Sequence, residues 1–176
     1  AVSKLKVGNP FDTSTDIGSL VSRPHLEKVK KYIDNAAQYG GKVIFGGASV
    51  SVDNSEDGYY LEPTIIEVQD NSCILNQEEI FGPVVTIMPF NDENEVVAMA
   101  NDVSYGLSAT LWTNDLKRTM RVSKQIQAGI VWVNTWLLRD LRTPFGGVKN
   151  SGVGREGGFE ALRFFTEPKN ICIKYN

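Results

Sequence analysis

Residues 84–133 read VVTIMPFNDENEVVAMANDVSYGLSATLWTNDLKRTMRVSKQIQAGIVWV. Three apolar runs in this stretch predict buried strands: residues 84–88, 108–112 and 129–133. Two segments between them have apolar side chains at helical spacing and predict helices: residues 93–100 and 116–127. Apolar strands that alternate with helices of this length predict βαβ units.

The residues before this stretch predict one more helix and two extended segments. Ser22 is a candidate N-cap, and apolar residues recur at helical spacing from Leu26 to Ala37, so we expect a helix that ends at Gly40. Residues 42–45 predict a short strand, and residues 59–68 predict an extended segment that is interrupted by a proline.

The C-terminal residues predict a short helix at residues 159–165 and a final strand at residues 171–175, from Ile171 to Tyr175. That strand follows Pro168 and must pair either with the chain's own sheet or with another subunit. The predicted fold class is therefore α/β, a three-layer fold with a mainly parallel sheet and helices on both faces.

The composition narrows the functional classes. Eighteen Lys and Arg residues against 21 Asp and Glu residues give a net charge of −3, which argues against nucleic acid and anionic membranes as partners. No apolar run approaches the roughly 18 residues of a membrane span, and the first residues lack a signal-peptide core, so we expect a cytoplasmic protein. Two distant cysteines, Cys73 and Cys172, and a single histidine argue against a disulfide framework and a zinc site.

Two short motifs match ligand-binding patterns in their letters but not in their context. Residues 53–58 (DNSEDG) resemble the start of a calcium loop, but its twelfth position is Thr64 instead of Glu, so we expect a solvated turn. Residues 152–157 (GVGREG) match GxGxxG, but a Gly-rich loop precedes them where a dinucleotide site needs a strand. We therefore expect a tight turn in which glycine allows close backbone approach.

Three further side chains could carry chemistry, and the sequence favours structural roles for them. His25 lies in the first turn of the first helix without a nucleophile at a suggestive spacing, so we interpret it as a surface residue. Cys73 lies near Glu78 and Glu79, whose negative charge disfavours a thiolate. Cys172 is expected to pack on one side of the final strand.

Four motifs follow one another along nearly the whole chain: QEEIFGPVV (77–85), ANDVSYGLSATLWTND (100–115), GIVWVN (129–134) and PFGGVKNSGVGREGG (144–158). Their order resembles the NAD(P)-dependent aldehyde dehydrogenase superfamily. Within it, NTWLLRDLRTPFGG (134–147) resembles the 2-hydroxymuconic and 2-aminomuconic semialdehyde dehydrogenases.

The resemblance implies the family mechanism, in which a thiolate attacks the aldehyde, a hydride passes to the nicotinamide, and water activated by a carboxylate releases the acid. In the family, the catalytic Cys, the base Glu and the cofactor domain precede the segment that this chain matches. We therefore expect no catalytic residue here, and a chain that is inactive alone. Residues 1–167 would be the C-terminal part of a catalytic domain, and residues 168–176 an oligomerisation strand. The alternative is a non-catalytic binding or assembly module with the same fold.

The resemblance also implies binding residues. Glu79 matches the residue that accepts hydrogen bonds from the nicotinamide ribose, with a solvated loop acid as the alternative, and Phe81 would pack beside the nicotinamide. Phe145 would line the aldehyde pocket and Trp136 the tunnel mouth, with core packing as the alternative for both. Asn134 is expected to order its loop and not to serve as an oxyanion donor.

Arg139 is expected to bind a substrate carboxylate, because its planar guanidinium can hold both oxygens. The alternatives are an ion pair with Asp140, exposure to solvent, or Arg142 as the anchor instead. The expected cofactor is NAD, with NADP not excluded, and the chain alone is expected to bind it weakly or not at all. The expected partners are a small-molecule aldehyde and further copies of the chain, joined through residues 171–175.

Overall fold

The computed structural model describes residues 1–53 and 55–175. The chain divides into two compact units, Ala1–Phe90 and Asn91–Asn176, and each is described by itself. No helix formed by the described residues is both long enough and apolar enough to span a membrane.

The first unit is built on a three-stranded sheet and one long helix. Its elements are a 3-10 helix (Val2–Lys4), α1 (Arg23–Asp34), β1 (Gly41–Phe45), β2 (Ser49–Val50), β3 (Tyr60–Leu61), β4 (Thr64–Val68), α2 (Ile74–Gln77) and β5 (Val84–Ile87). β4 lies in the centre of the sheet, antiparallel to β1 and parallel to β5. β2 and β3 form a separate antiparallel pair.

The core of this unit forms where α1 packs on the sheet. Ser22 caps α1 as expected, because its side chain accepts a hydrogen bond from the His25 backbone N–H. Val29 and Ile33 are buried on one face of the helix. In β4 every second residue is buried, which places Ile66 and Val68 in the same core cluster.

The second unit contains a complete βαβ unit. Its elements are α3 (Glu93–Asn101), β6 (Tyr105–Gly106), β7 (Ser108–Leu111), α4 (Leu116–Gln125), β8 (Ile130–Val133), β9 (Val148–Lys149) and α5 (Gly158–Phe165). β7 and β8 pair in parallel across α4, which confirms the pattern predicted from the sequence. β6 and β9 form a two-residue antiparallel pair.

The α/β class is confirmed, and the three-stranded sheet contains both parallel and antiparallel pairs. Parallel pairing joins β4 to β5 across α2 and β7 to β8 across α4, as expected for strands separated by a helix. β1 pairs antiparallel with β4 because the described residues between them, 46–53 and 55–63, contain no crossover helix.

Residues 171–175 form no strand within the described part of the chain. Ile171, Ile173 and Tyr175 are exposed, and the segment has no ladder partner there. The alternative in which this segment pairs with the chain's own sheet is therefore wrong. Without a neighbouring strand to take its backbone hydrogen bonds, the segment does not form a strand. Pairing with a second subunit stays a prediction.

Candidate functional site

The candidate cofactor residues lie on one loop of the first unit, between α2 and β5. Ile80 is buried in the core, whereas its neighbours Glu79 and Phe81 are exposed, with 70% of Phe81 open to solvent. The buried isoleucine anchors the loop. A carboxylate and an aromatic ring are thereby presented to solvent two residues apart.

His25 holds the backbone of this loop. Its Nε2 donates a hydrogen bond to the Phe81 carbonyl oxygen at 2.5 Å, and the two rings meet edge to face with centroids 5.9 Å apart. The sequence predicted a surface residue; His25 is half-buried, and it also contacts Phe81, which is distant in sequence. The only sequence signal was its position on the same helical face as Lys28 and Tyr32.

The candidate substrate residues lie on the loop that follows β8 in the second unit. Asn134 has a φ of 53°, and its side chain makes two hydrogen bonds to the Thr113 backbone, which confirms its loop-ordering role. Trp136 is exposed and packs edge to face on the buried Trp132 at 5.0 Å. Trp132 in turn donates its indole N–H to the Leu138 carbonyl at 2.8 Å. Two tryptophans thus order the start of the loop.

Arg139 is fixed by two residues of the same unit. Its guanidinium carbon lies 4.0 Å from the centre of the Phe145 ring, and its NH2 group donates to Glu156 Oε1 at 2.6 Å. Phe145 and Glu156 face each other through two backbone hydrogen bonds of 2.8 Å. The alternative in which Arg139 pairs with Asp140 is therefore wrong, and its partner Glu156 was not indicated by the sequence.

Arg142 is occupied by a residue of its own loop. Its Nε and NH2 groups bind both carboxylate oxygens of Asp140, and these hydrogen bonds hold the pKa of Asp140 below its ordinary value. The Arg142 side chain is 88% exposed. The Arg142 guanidinium thus already binds the Asp140 carboxylate through two nitrogen atoms. This favours Arg139 over Arg142 as the anchor for a substrate carboxylate.

The Gly-rich segment behind this loop forms the tight turn expected from the sequence. Gly154 has a φ of 74°, and a Cβ at this residue would clash with the Phe164 ring. Arg155 donates to the carbonyls of Gly147 at 2.9 Å and Gly154 at 2.6 Å. Phe145 lines an open groove of about 340 Å³ beside these residues.

The other candidate sites do not form a ligand set in the described residues. Cys73 is half-buried before α2, and Cys172 is exposed, so the expectation that it packs was wrong. Asn54, within the calcium-like residues 53–58, lies outside the described residues. Among residues 1–53 and 55–175, no group of three His, Cys, Asp or Glu side chains could hold a metal ion.

Comparisons with known proteins cover almost the whole chain. The sequence model of the aldehyde dehydrogenase family matches residues 1–171. The 2-aminomuconic semialdehyde dehydrogenase of Bos taurus is 47% identical over 179 residues, which cover 99% of this chain and 37% of that protein. The 2-hydroxymuconic semialdehyde dehydrogenase of Pseudomonas putida is 46% identical over 172 residues, which cover 97% of this chain and 35% of that protein.

Solved structures show the same similarity. The betaine aldehyde dehydrogenase of Staphylococcus aureus in complex with NAD+ superposes with a TM-score of 0.87 and 39% identity, covering 93% of this chain and 33% of that one. The chain thus spans just over a third of the length of the curated relatives that it matches.

Proposed function

The chain belongs to the aldehyde dehydrogenase family, and from this premise we propose that it is the C-terminal part of an enzyme that oxidises a muconic-type semialdehyde to a carboxylic acid with NAD. Residues 1–167 form part of the catalytic domain in this proposal. Residues 171–175 pair with a second subunit, which would supply the missing ladder partner. The identity to relatives named for 2-aminomuconic and 2-hydroxymuconic semialdehydes supports the substrate class.

The loop between α2 and β5 fits the nicotinamide half of NAD. The exposed Glu79 carboxylate can accept hydrogen bonds from two ribose hydroxyls at once, and the exposed Phe81 ring offers a flat apolar surface. Bound NAD supplies the acceptor for the hydride. Because these residues contact only that half, the chain alone binds NAD weakly or not at all, and NADP remains compatible with them.

Arg139 fits the carboxylate of the substrate. A guanidinium has five N–H donors, and Glu156 takes one of them from NH2, so further donors remain for a second carboxylate. Stacking on Phe145 fixes the plane of the guanidinium before substrate binds. The aldehyde at the other end of the molecule is then held in a defined orientation.

The substrate assignment rests on Arg139, which stacks on the Phe145 ring and lies on the loop before the Gly-rich turn. A muconic semialdehyde has a carboxylate at one end and an aldehyde at the other, so one cationic anchor can orient the whole molecule. A neutral aldehyde has no charged group that could accept hydrogen bonds from the remaining donors of Arg139.

The location of the activity can be tested with two proteins. The 176-residue chain and a longer protein that adds the upstream residues are each assayed for NADH formation from a carboxylated semialdehyde. We expect turnover in the longer protein only, because nucleophile and base supply most of the rate enhancement. Turnover by the chain alone would contradict this, and loss of that turnover in Cys73→Ser would identify the nucleophile. Lack of turnover by the longer protein would refute the assignment.

A further inference from the structure

One face of α1 holds the loop that carries Glu79 and Phe81. His25 Nε2 donates to the Phe81 carbonyl at 2.5 Å, and Lys28 Nζ donates to the Glu79 carbonyl at 3.4 Å. One turn further on, the Tyr32 hydroxyl donates to the Glu78 carboxylate. Residues separated by three and four positions lie on the same side of a helix. We call His25, Lys28 and Tyr32 the α1 face.

Apolar contacts bring the loop close to this helix. Val29, which is fully buried, lies against Gly82, where a Cβ would come within 2.8 Å of the valine methyl groups. Ile80 is buried in the same core cluster as Val29. The loop is therefore fixed on the core by packing and on its exposed part by the α1 face.

Phe81 needs such support because its φ of 60° lies in the left-handed region, which residues other than glycine rarely adopt. The carbonyl oxygen can only accept a hydrogen bond, so His25 must carry its proton on Nε2. The Tyr32 phenol is protonated at neutral pH and donates to the Glu78 carboxylate, and this bond raises its pKa to about 12. Both side chains thus donate hydrogen bonds to the loop.

We infer that the α1 face positions the loop for the cofactor, with His25 as a positioning residue that sets the orientation of Phe81 and Glu79 for NAD. The inference rests on the proposed function, because this orientation matters only if the two residues meet the nicotinamide half. His25 acts through the Phe81 backbone and is not a catalytic residue. Preorganisation of this kind strengthens binding because less conformational freedom is lost when the ligand arrives.

The effect on the loop can be measured in the 176-residue chain by hydrogen exchange of the peptide covering residues 78–84. In His25→Ala we expect exchange to accelerate by about 2- to 10-fold, as for the loss of one hydrogen bond. His25→Gln keeps an N–H donor, so its exchange rate should stay close to that of the chain with His25. Lys30→Ala is the matched control, because Lys30 lies on the same helix but pairs with Asp34. Unchanged exchange in His25→Ala would overturn the inference.

The effect on the cofactor can be measured in the longer enzyme. In His25→Ala we expect KM for NAD to rise about 5- to 10-fold, while kcat and KM for the aldehyde change less than about twofold. His25→Gln should recover most of the loss, and Lys30→Ala should resemble the unchanged enzyme. If the longer enzyme is active and His25→Ala leaves its KM for NAD unchanged, the inference is overturned but the proposed function is not. If the longer enzyme without any substitution does not reduce NAD, both the proposed function and the inference are overturned.

Discussion

Replacing Arg139 by alanine in the longer enzyme should weaken selection for a carboxylated semialdehyde. The guanidinium stacks 4.0 Å above Phe145 and is 29% exposed, so a bound carboxylate would meet a largely desolvated, oriented partner. A hydrogen bond to a charged group contributes about 1.5–3 kcal/mol. We therefore expect kcat/KM for the carboxylated substrate to fall by on the order of 10²-fold.

The same substitution has costs that do not depend on the substrate. It removes the ion pair with Glu156, whose side chain is 60% exposed, so this loss amounts to about 0–1 kcal/mol. It also removes the cation–π contact with Phe145, which contributes about 0.5–1 kcal/mol at a partly exposed site. Both costs affect a neutral aldehyde equally. Only the difference between the two substrates in the loss of kcat/KM therefore measures the contact between Arg139 and the carboxylate.

The assay compares kcat/KM for a carboxylated semialdehyde and a neutral aldehyde of similar length. Arg142→Ala is the matched control, because it removes a guanidinium of the same loop that Asp140 already occupies. We expect Arg142→Ala to change neither value by more than about twofold, as for an exposed ion pair. Equal losses on both substrates in Arg139→Ala would show that Arg139 only shapes the loop. A selective loss in Arg142→Ala would identify the other arginine as the anchor.

Two further predictions concern self-association and pH. The chain should self-associate through the exposed apolar side chains of residues 171–175, and a chain that ends at Glu167 should do so less; light scattering that finds both forms monomeric would exclude this role. The pKa of Tyr32 is raised from 10.0 to about 12 by its bond to Glu78, so this bond stabilises the folded state below pH 10, and the stabilisation is lost as pH rises through about 12. Tyr32→Phe should remove the highest step from an absorbance titration of the tyrosines, whereas an unchanged titration would show that another tyrosine titrates there.

The elements predicted from sequence are those that local residues determine. The cap at Ser22 and the apolar face around Val29 specify α1, and the apolar runs around α4 specify the βαβ unit. The loop-ordering role of Asn134 was also predicted, although its hydrogen-bond partner Thr113, which is 21 positions away, was not. For α1 and for the βαβ unit, short-range patterns were enough.

The contacts that escaped prediction join residues that are distant in sequence. His25 and Phe81 are 56 positions apart, and Arg139 and Glu156 are 17 apart, so no helical or strand period links the two members of either pair. The strand expected at residues 171–175 failed for a related reason. Its alternating pattern indicates what the segment can form, but a strand also needs a neighbour, which a sequence pattern does not supply.

The most direct measurement is the ratio of kcat/KM for a carboxylated semialdehyde to kcat/KM for a neutral aldehyde of the same length, with NAD, in a protein that joins this chain to the upstream residues. If Arg139 anchors the carboxylate, this ratio should be on the order of 10², as expected for a charge-assisted contact made by one substrate only. A ratio near one, or a preference for the neutral aldehyde, would contradict the assignment of a carboxylated semialdehyde as the substrate.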